Sequence, residues 1–252
     1  MAERIDFPTF KYSPAEYNQD LIRGKDVGPR SHNLTKEILS RLPFESTLLD
    51  IGCGSASKLL PLASNIQNII GIDNNPAVVA EAKKNVLAAG IENIRIKEAD
   101  CNHLPFTSNS IDMVTFMLSP HNAKEAYRVL VGGGIAIADR VGERDKPEIK
   151  AFFKDKSGNP RGYRSNLPEG EVGRLHLYDF FDVGFIEVSC KNIFWKTKYT
   201  KEGLWLLLKS TPTIEGFDPI KDEDIFNLAW SKLAKRNMAT LTQHRVLLIA
   251  KV

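Results

Sequence analysis

From residue 47 onwards the chain alternates short apolar runs with stretches whose apolar residues recur every three or four positions. Thr47–Ile51, Asn68–Ile72, Ile94–Lys97, Ile111–Phe116 and Ile135–Asp139 read as five buried strands, because brief runs of Ile, Leu and Val suit strands covered on both faces. Lys58–Ser64 reads as a helix with Pro61 near its first turn. Asn75–Ala89 reads as a second helix, with Pro76 at its first position, an inner face of Val78, Val79, Ala82 and Val86, and Gly90 as its stop. Lys124–Leu130 reads as a third, closed by Gly132–Gly134. Upstream, Ser31–Leu42 has Ser31 as N-cap, Leu34, Ile38 and Leu42 on one face, and Pro43 behind it. A shorter helix around Ala15–Ile22 ends at Gly24. Strands and helices in this rhythm predict βαβ units with right-handed crossovers and a parallel sheet.

After Asp139 the rhythm changes. Residues 141–175 are polar and glycine-rich, with one helix predicted at Pro147–Phe153. Further helices are predicted at His176–Asp182, Lys201–Lys209 and Lys221–Asn237, a sixth strand at Phe185–Lys198 and a last strand at Gln243–Val252. We read 141–184 and 200–240 as insertions on one sheet, so that the 252 residues form a single domain with an N-terminal lid segment at 1–30 and a core at 31–140.

Composition adds exclusions. A formal net charge of +3 does not call for nucleic acid, and no apolar run reaches the roughly 18 residues of a membrane span. The N-terminus is charged and does not read as a signal peptide. Three separated cysteines form neither a disulfide framework nor a metal motif, which points to the cytoplasm, and the histidines show no metal-ligand spacing.

The first strand runs into Asp50-Ile51-Gly52-Cys53-Gly54-Ser55, where glycines let backbone approach a ligand. Asp73 ends the second strand, about 20 residues on, where a carboxylate accepts from ribose hydroxyls. Asp100 follows the third strand, so three acids converge on the crevice at the strands' C-terminal ends. A dinucleotide fingerprint would place glycine where Ser57 stands, which weakens a pyrophosphate cradle.

The ordered set LLDIGCGS, IIGIDNN, EADCNHLPF, SIDMVTF and RVLVGGG resembles the motifs of class I S-adenosylmethionine-dependent methyltransferases, in particular the small-molecule branch related to quinone-biosynthesis enzymes. The resemblance covers residues 31–140. It implies a doubly wound, seven-stranded, mostly parallel Rossmann-like sheet whose last strand is antiparallel between strands five and six. It further implies that Asp50, Gly52 and Gly54 line the methionine moiety, that backbone of this loop holds its amine, and that Cys53 belongs to the cofactor-binding loop. Asp73 would hold the ribose and Asn74 would lie beside the adenine. Asp100 would accept from the adenine amino group, the Cys101 backbone would meet the ring, and the Met117–Leu118 backbone would approach the methionine amine. Val131 stands where relatives often carry proline. Leu118-Ser119-Pro120-His121-Asn122 lacks the Asn/Asp-Pro-Pro-aromatic signature of adenine-amino methylation.

The implied reaction moves a methyl group to an oxygen or carbon of a small molecule; an RNA or protein acceptor, or a non-catalytic binding protein, remains the alternative. A base is needed only for a protonated acceptor. His121 is the first candidate and His176 the second, against a structural histidine capping the next helix. Cys53, Cys101 and Cys190 read as filler rather than thiol catalysts. Lys191–Lys201, mixing lysines and aromatics, reads as a strand rather than a nucleic-acid surface. Arg161-Gly-Tyr-Arg164 is either an acid clamp or a solvated loop. Gly203–Leu208 is apolar nearly all round and would pack on the sheet or roof the acceptor pocket.

Overall fold

A computed structural model describes residues 19–30 and 33–252. The proposed cap Ser31, the first half of the helix expected around residues 15–22 and the aromatics of the first 18 residues lie outside them; the second half of that helix falls in Gln19–Arg23. The elements are α1 (Gln19–Arg23), β1 (Lys25–Asp26), α2 (Leu34–Leu39), β2 (Thr47–Ile51), β3 (Asn68–Asp73), α3 (Pro76–Ala88), β4 (Ile94–Glu98), β5 (Ile111–Met117), α4 (Ala123–Val129), β6 (Leu130–Val141), α5 (Pro147–Lys150), α6 (Glu171–Phe181), β7 (Ser189–Tyr199), α7 (Lys201–Ser210), α8 (Glu223–Leu233), β8 (Ala234–Lys235) and β9 (Met238–Lys251).

One sheet carries the order β1-β7-β9-β6-β5-β2-β3-β4, with β8 attached to β9. The pairs β2–β3, β2–β5, β3–β4 and β5–β6 are parallel, and β9 is antiparallel to both β6 and β7. Seven strands form the expected sheet; the two-residue β1 and β8 extend it. Leu48, Ile69, Met113, Ile137 and Leu247 face one apolar layer with Ile38 and Val79; Leu49, Val114, Phe116 and Leu248 face the other with Ala126 and Phe180. Burial on both faces is why these strands read as near-continuous apolar runs.

Several boundaries differ from the sequence reading. No α-helix follows β2. Ala56, Leu59, Leu62, Ala63 and Asn65 each donate to the carbonyl three residues back, and Leu60–Leu62 is a single 3-10 turn. Pro61 has no N–H to continue a four-residue ladder, so the chain tightens instead. Asn33, not Ser31, caps α2 by accepting from Lys36 N. β6 starts at Leu130, ahead of the glycines expected to close a helix, with a bulge between its pairings to Ile111 and Met113. α6 starts five residues earlier than its apolar pattern suggested, after Gly170, whose N–H donates to the distant Glu143.

β7 and β9 continue past the end of the parallel strands. β6 ends with Val141 opposite Arg245, whereas the β7–β9 pairing runs on to Tyr199 opposite Ala239. Arg236 and Asn237, both at positive φ, make the two-residue turn that joins β8 to β9. This arm carries a third apolar cluster, in which Leu204, Leu207 and Leu208 of α7 meet Ile22, Ile149, Tyr199, Phe226 and Leu241. α7 is apolar nearly all round because α1 and α8 cover it in turn. A Cβ on Gly203 would lie 2.6 Å from the Leu21 carbonyl.

Candidate active site

The loop after β2 folds back on β3. Gly52 and Cys53 both donate to the Ile72 carbonyl, at 2.8 and 2.9 Å. Gly52 has φ 73°, and a Cβ there would collide with Ser119, whose hydroxyl donates to the Ile51 carbonyl. Glycine is required by conformation and by space. Gly54 also has positive φ, but a Cβ there would meet nothing within 4 Å, so this peptide faces open space. Cys53 packs against Gly71; burial raises its thiol pKa, and burial likewise raises Cys101 and Cys190 to about 11. Thiolate chemistry is thereby disfavoured.

Asp73 accepts from Gly54 N (3.2 Å) and Asn75 N (3.0 Å), which holds its carboxylate at the rim of the loop. Asp50 is buried, and its Oδ1 accepts from Thr115 Oγ1 at 2.7 Å. Burial raises its pKa to about 7, opposed by Thr115 and Lys58 and reinforced by Asp73. Asp100 is exposed and accepts from the backbone and side chain of Asn102. Asn74 is exposed and Cys101 half-buried. Leu118, 45% exposed, sits at φ 63° and donates its N–H to the Asp139 carbonyl. A leucine held there is strained, and such strain clusters at ligand sites.

Three further groups belong to the site, of which Ala56 and Arg140 were not singled out by sequence. Lys58 is an exposed residue whose ammonium turns inward to the Met117 carbonyl (3.3 Å). Desolvation lowers its pKa against the pull of Asp139 and Asp50. Ala56, fully buried at φ 61°, occupies the next alternate position after Gly52 and Gly54. Arg140, 1% exposed, donates to the carbonyls of Ser119 (2.8 Å) and Phe116 (3.3 Å) and so ties β6 to the loop after β5. Only the Gly-x-Gly-x-Ala spacing was available to flag Ala56. The other two are placed by long-range packing.

His121 follows that loop. Asn122, not His121, caps α4 by accepting from Glu125 N. The His121 ring stacks on Phe180 at 5.6 Å, meets His176 edge-on at 5.0 Å, and places Nε2 2.6 Å from Asp179 Oδ2. Burial, then Arg140, pushes its pKa down to about 4 despite Asp179. His176 is fully buried; among the described residues neither ring nitrogen has a hydrogen-bond partner, and burial lowers its pKa strongly. Both imidazoles are neutral at pH 7.

Arg161-Gly-Tyr-Arg164 is not a solvated loop. Arg161 grips Asp222 at 2.7 and 2.9 Å, and Arg164, 8% exposed, donates to the Val141 carbonyl at 2.6 Å. Lys191–Lys201 contains a strand with Ile193, Thr197 and Tyr199 buried and Lys196 and Lys198 exposed. A concavity lined by Leu60, Pro61, Ser64 and Glu92 lies between the 3-10 turn after β2 and the segment that precedes β4. No helix among the described residues is long and apolar enough to cross a membrane.

A seven-stranded sheet with β9 reversed between β6 and β7, and acids at successive strand ends beside an open glycine peptide, defines the class I methyltransferase fold. Residues 48–134 match the methyltransferase domain family. The chain is 33% identical over 121 residues to the demethylmenaquinone methyltransferase of Lactobacillus johnsonii, covering 42% of this chain and 50% of that protein. It is 29% identical over 196 residues to the ubiquinone/menaquinone biosynthesis C-methyltransferase UbiE of Rickettsia felis, covering 64% and 78%. The solved YcgJ protein of Bacillus subtilis superposes with a TM-score of 0.58 at 17% identity, over 86% of this chain and 97% of that one. The chain spans about half the length of several curated relatives that it matches. Over residues 48–134 the chain is thus similar to a methyltransferase domain, and its sheet has the fold of the solved relative.

Proposed function

We propose that this chain transfers a methyl group from S-adenosylmethionine to an oxygen or carbon of a small-molecule acceptor. The observation that carries the reading is the open Gly54 peptide beside Asp73 and above the buried Asp50, a cradle that a side chain at Gly54 would fill. Asp73 would exchange its two backbone N–H partners for ribose hydroxyls. Asn74, Asp100 and the Cys101 backbone would meet the adenine. Gly52, Cys53, Gly54, Asp50 and the Leu118 backbone would surround the methionine portion. The bound sulfonium supplies an electrophilic methyl group, so the protein's task is chiefly alignment and exclusion of water.

His121 is the proposed proton acceptor. Its Nε2–H donates to Asp179, a tautomer that leaves Nδ1 as the basic nitrogen. Asp179 acts through His121 as a positioning residue. Residues 141–184 and 200–240 would form the acceptor side of one domain, and free, protonated thiols fit a cytoplasmic setting.

Incubation with methyl-labelled S-adenosylmethionine and a panel of phenols and enols tests the reaction. Labelling of an acceptor by the wild type, lost in Asp73→Ala, is expected. No labelled product together with no binding of S-adenosylmethionine would overturn it.

A further inference from the structure

A second group of charges lies beside the candidate active site, at the start of the inserted region. Lys146 takes a left-handed conformation (φ 51°) and Pro147 opens α5 directly after it. That turn sends Asp145, Lys146 and Lys150 inward, against Arg245 of β9. Asp145 is 2%, Lys146 4% and Lys150 3% exposed. Asp145 receives the Lys146 ammonium at 2.8 Å, the Arg245 guanidinium at 3.0 Å and the His244 N–H at 3.1 Å.

Lys150 is left over. Its ammonium donates to the Tyr163 carbonyl at 2.8 Å, and among the described residues no carboxylate lies within ion-pair distance of it. Among the described residues, neither of the neighbouring acids pairs with Lys150, and the buried Glu143 keeps one carboxylate oxygen, Oε2, without a hydrogen-bond partner. Glu148 accepts from Thr242 N and Oγ1 and pairs with Lys196, and Glu143 accepts from Gly170 N. Arg164 adds a further positive charge from the next loop. Asp145 is thus the one carboxylate within ion-pair distance of Lys146 and Arg245, and none is within that distance of the buried Lys150 among the described residues. Burying charge without a counter-charge is costly, and an ammonium with one of its three N–H groups satisfied has donors to spare.

We propose that Lys150, with Lys146 and Arg245, binds an anionic group, a carboxylate or a phosphate, carried by the methyl acceptor. The location fits that role. Arg245 lies opposite Val141, two residues beyond Asp139, and its field reaches Lys58 in the cofactor crevice. The assignment to the acceptor rests on the methyl-transfer reading; the anion site itself does not.

The test is calorimetric titration of the cofactor-free, full-length protein with inorganic phosphate and, separately, with benzoate, at ionic strength held constant with chloride. Saturable binding of at least one is expected, weakened about tenfold or more in Lys150→Met and retained in Lys150→Arg, since a charge-assisted hydrogen bond is at stake. The preferred probe tells a phosphate acceptor from a carboxylate one. Lys150→Met removes an unpaired buried charge, so it should fold; the same contrast appears as a rise in Tm with the probe in wild type and none in the variant. Equal affinity in Lys150→Met, or no saturable binding of either probe, overturns the site. Displacement of the bound probe by S-adenosylmethionine overturns its assignment to the acceptor. If S-adenosylmethionine fails to bind while the Lys150 effect persists, the anion site stands and the methyl-transfer reading falls.

Discussion

His121 Nε2 lies 2.6 Å from Asp179 Oδ2, which joins the loop after β5 to α6. The ring is held between Phe180 and Phe116, with His176 at its edge. The parallel sheet and α6 are thus coupled at the proposed base.

This coupling makes the protein acid-sensitive. The His121 pKa falls from the ordinary 6.5 to about 4 on folding, so the unfolded chain binds the extra proton between those values. Stability is then full above about pH 6.5 and falls as pH drops towards 4, by about 3 kcal/mol from this group. His176 shifts in the same direction. Denaturant unfolding from pH 7 to pH 4 should show the loss, and it should be smaller in His121→Gln. An unchanged slope in the variant would mean that other groups dominate.

Leu118 pairs strain with exposure. Leu118→Gly should raise stability by about 0.5–1 kcal/mol, since relief of the left-handed conformation exceeds the entropy cost of glycine. If Leu118 touches the cofactor, affinity for S-adenosylmethionine should fall in the same variant. Opposite signs in thermal unfolding and in binding are the expected result.

Gly52→Ala should do the reverse of a conservative change. Its Cβ meets Ser119 while the backbone stays at φ 73°, so a loss of about 2 kcal/mol or more is expected, with displacement of the loop. Gly54→Ala meets no atom and should fold with a smaller loss, yet bind cofactor more weakly. Comparing melting temperature and affinity of the two variants separates packing from binding.

The arm built on β7 and β9 depends on its own core. Leu204→Ala, at a fully buried position, should cost about 2–5 kcal/mol. Limited proteolysis should then cut first within α7 or α8 rather than in β2–β6.

The parallel half was legible because strands buried on both faces write themselves as apolar runs, and because Asp50, Gly52, Gly54 and Asp73 sit at strand ends with fixed spacing. Pro61 was visible too, but its consequence, a 3-10 turn in place of a helix, depends on how tightly the loop folds onto β3. The half after Asp139 was harder to read. α6 begins where Glu143, distant in sequence, meets Gly170, and the β8–β9 turn uses Arg236 and Asn237 rather than a glycine. Arg140, at the end of an apolar strand, and Lys150, in a polar-looking segment, are buried charges that local pattern marks as surface. Charge placed by packing between distant segments leaves no periodic trace.

The central claim is best tested by calorimetric titration of wild type and Asp73→Ala with S-adenosylmethionine and with NAD. Wild type is expected to bind S-adenosylmethionine and not NAD, and Asp73→Ala to bind it about 100-fold more weakly, two charge-assisted hydrogen bonds to the ribose having been lost. Binding of NAD in preference, or equal affinity of S-adenosylmethionine for both proteins, would contradict that claim.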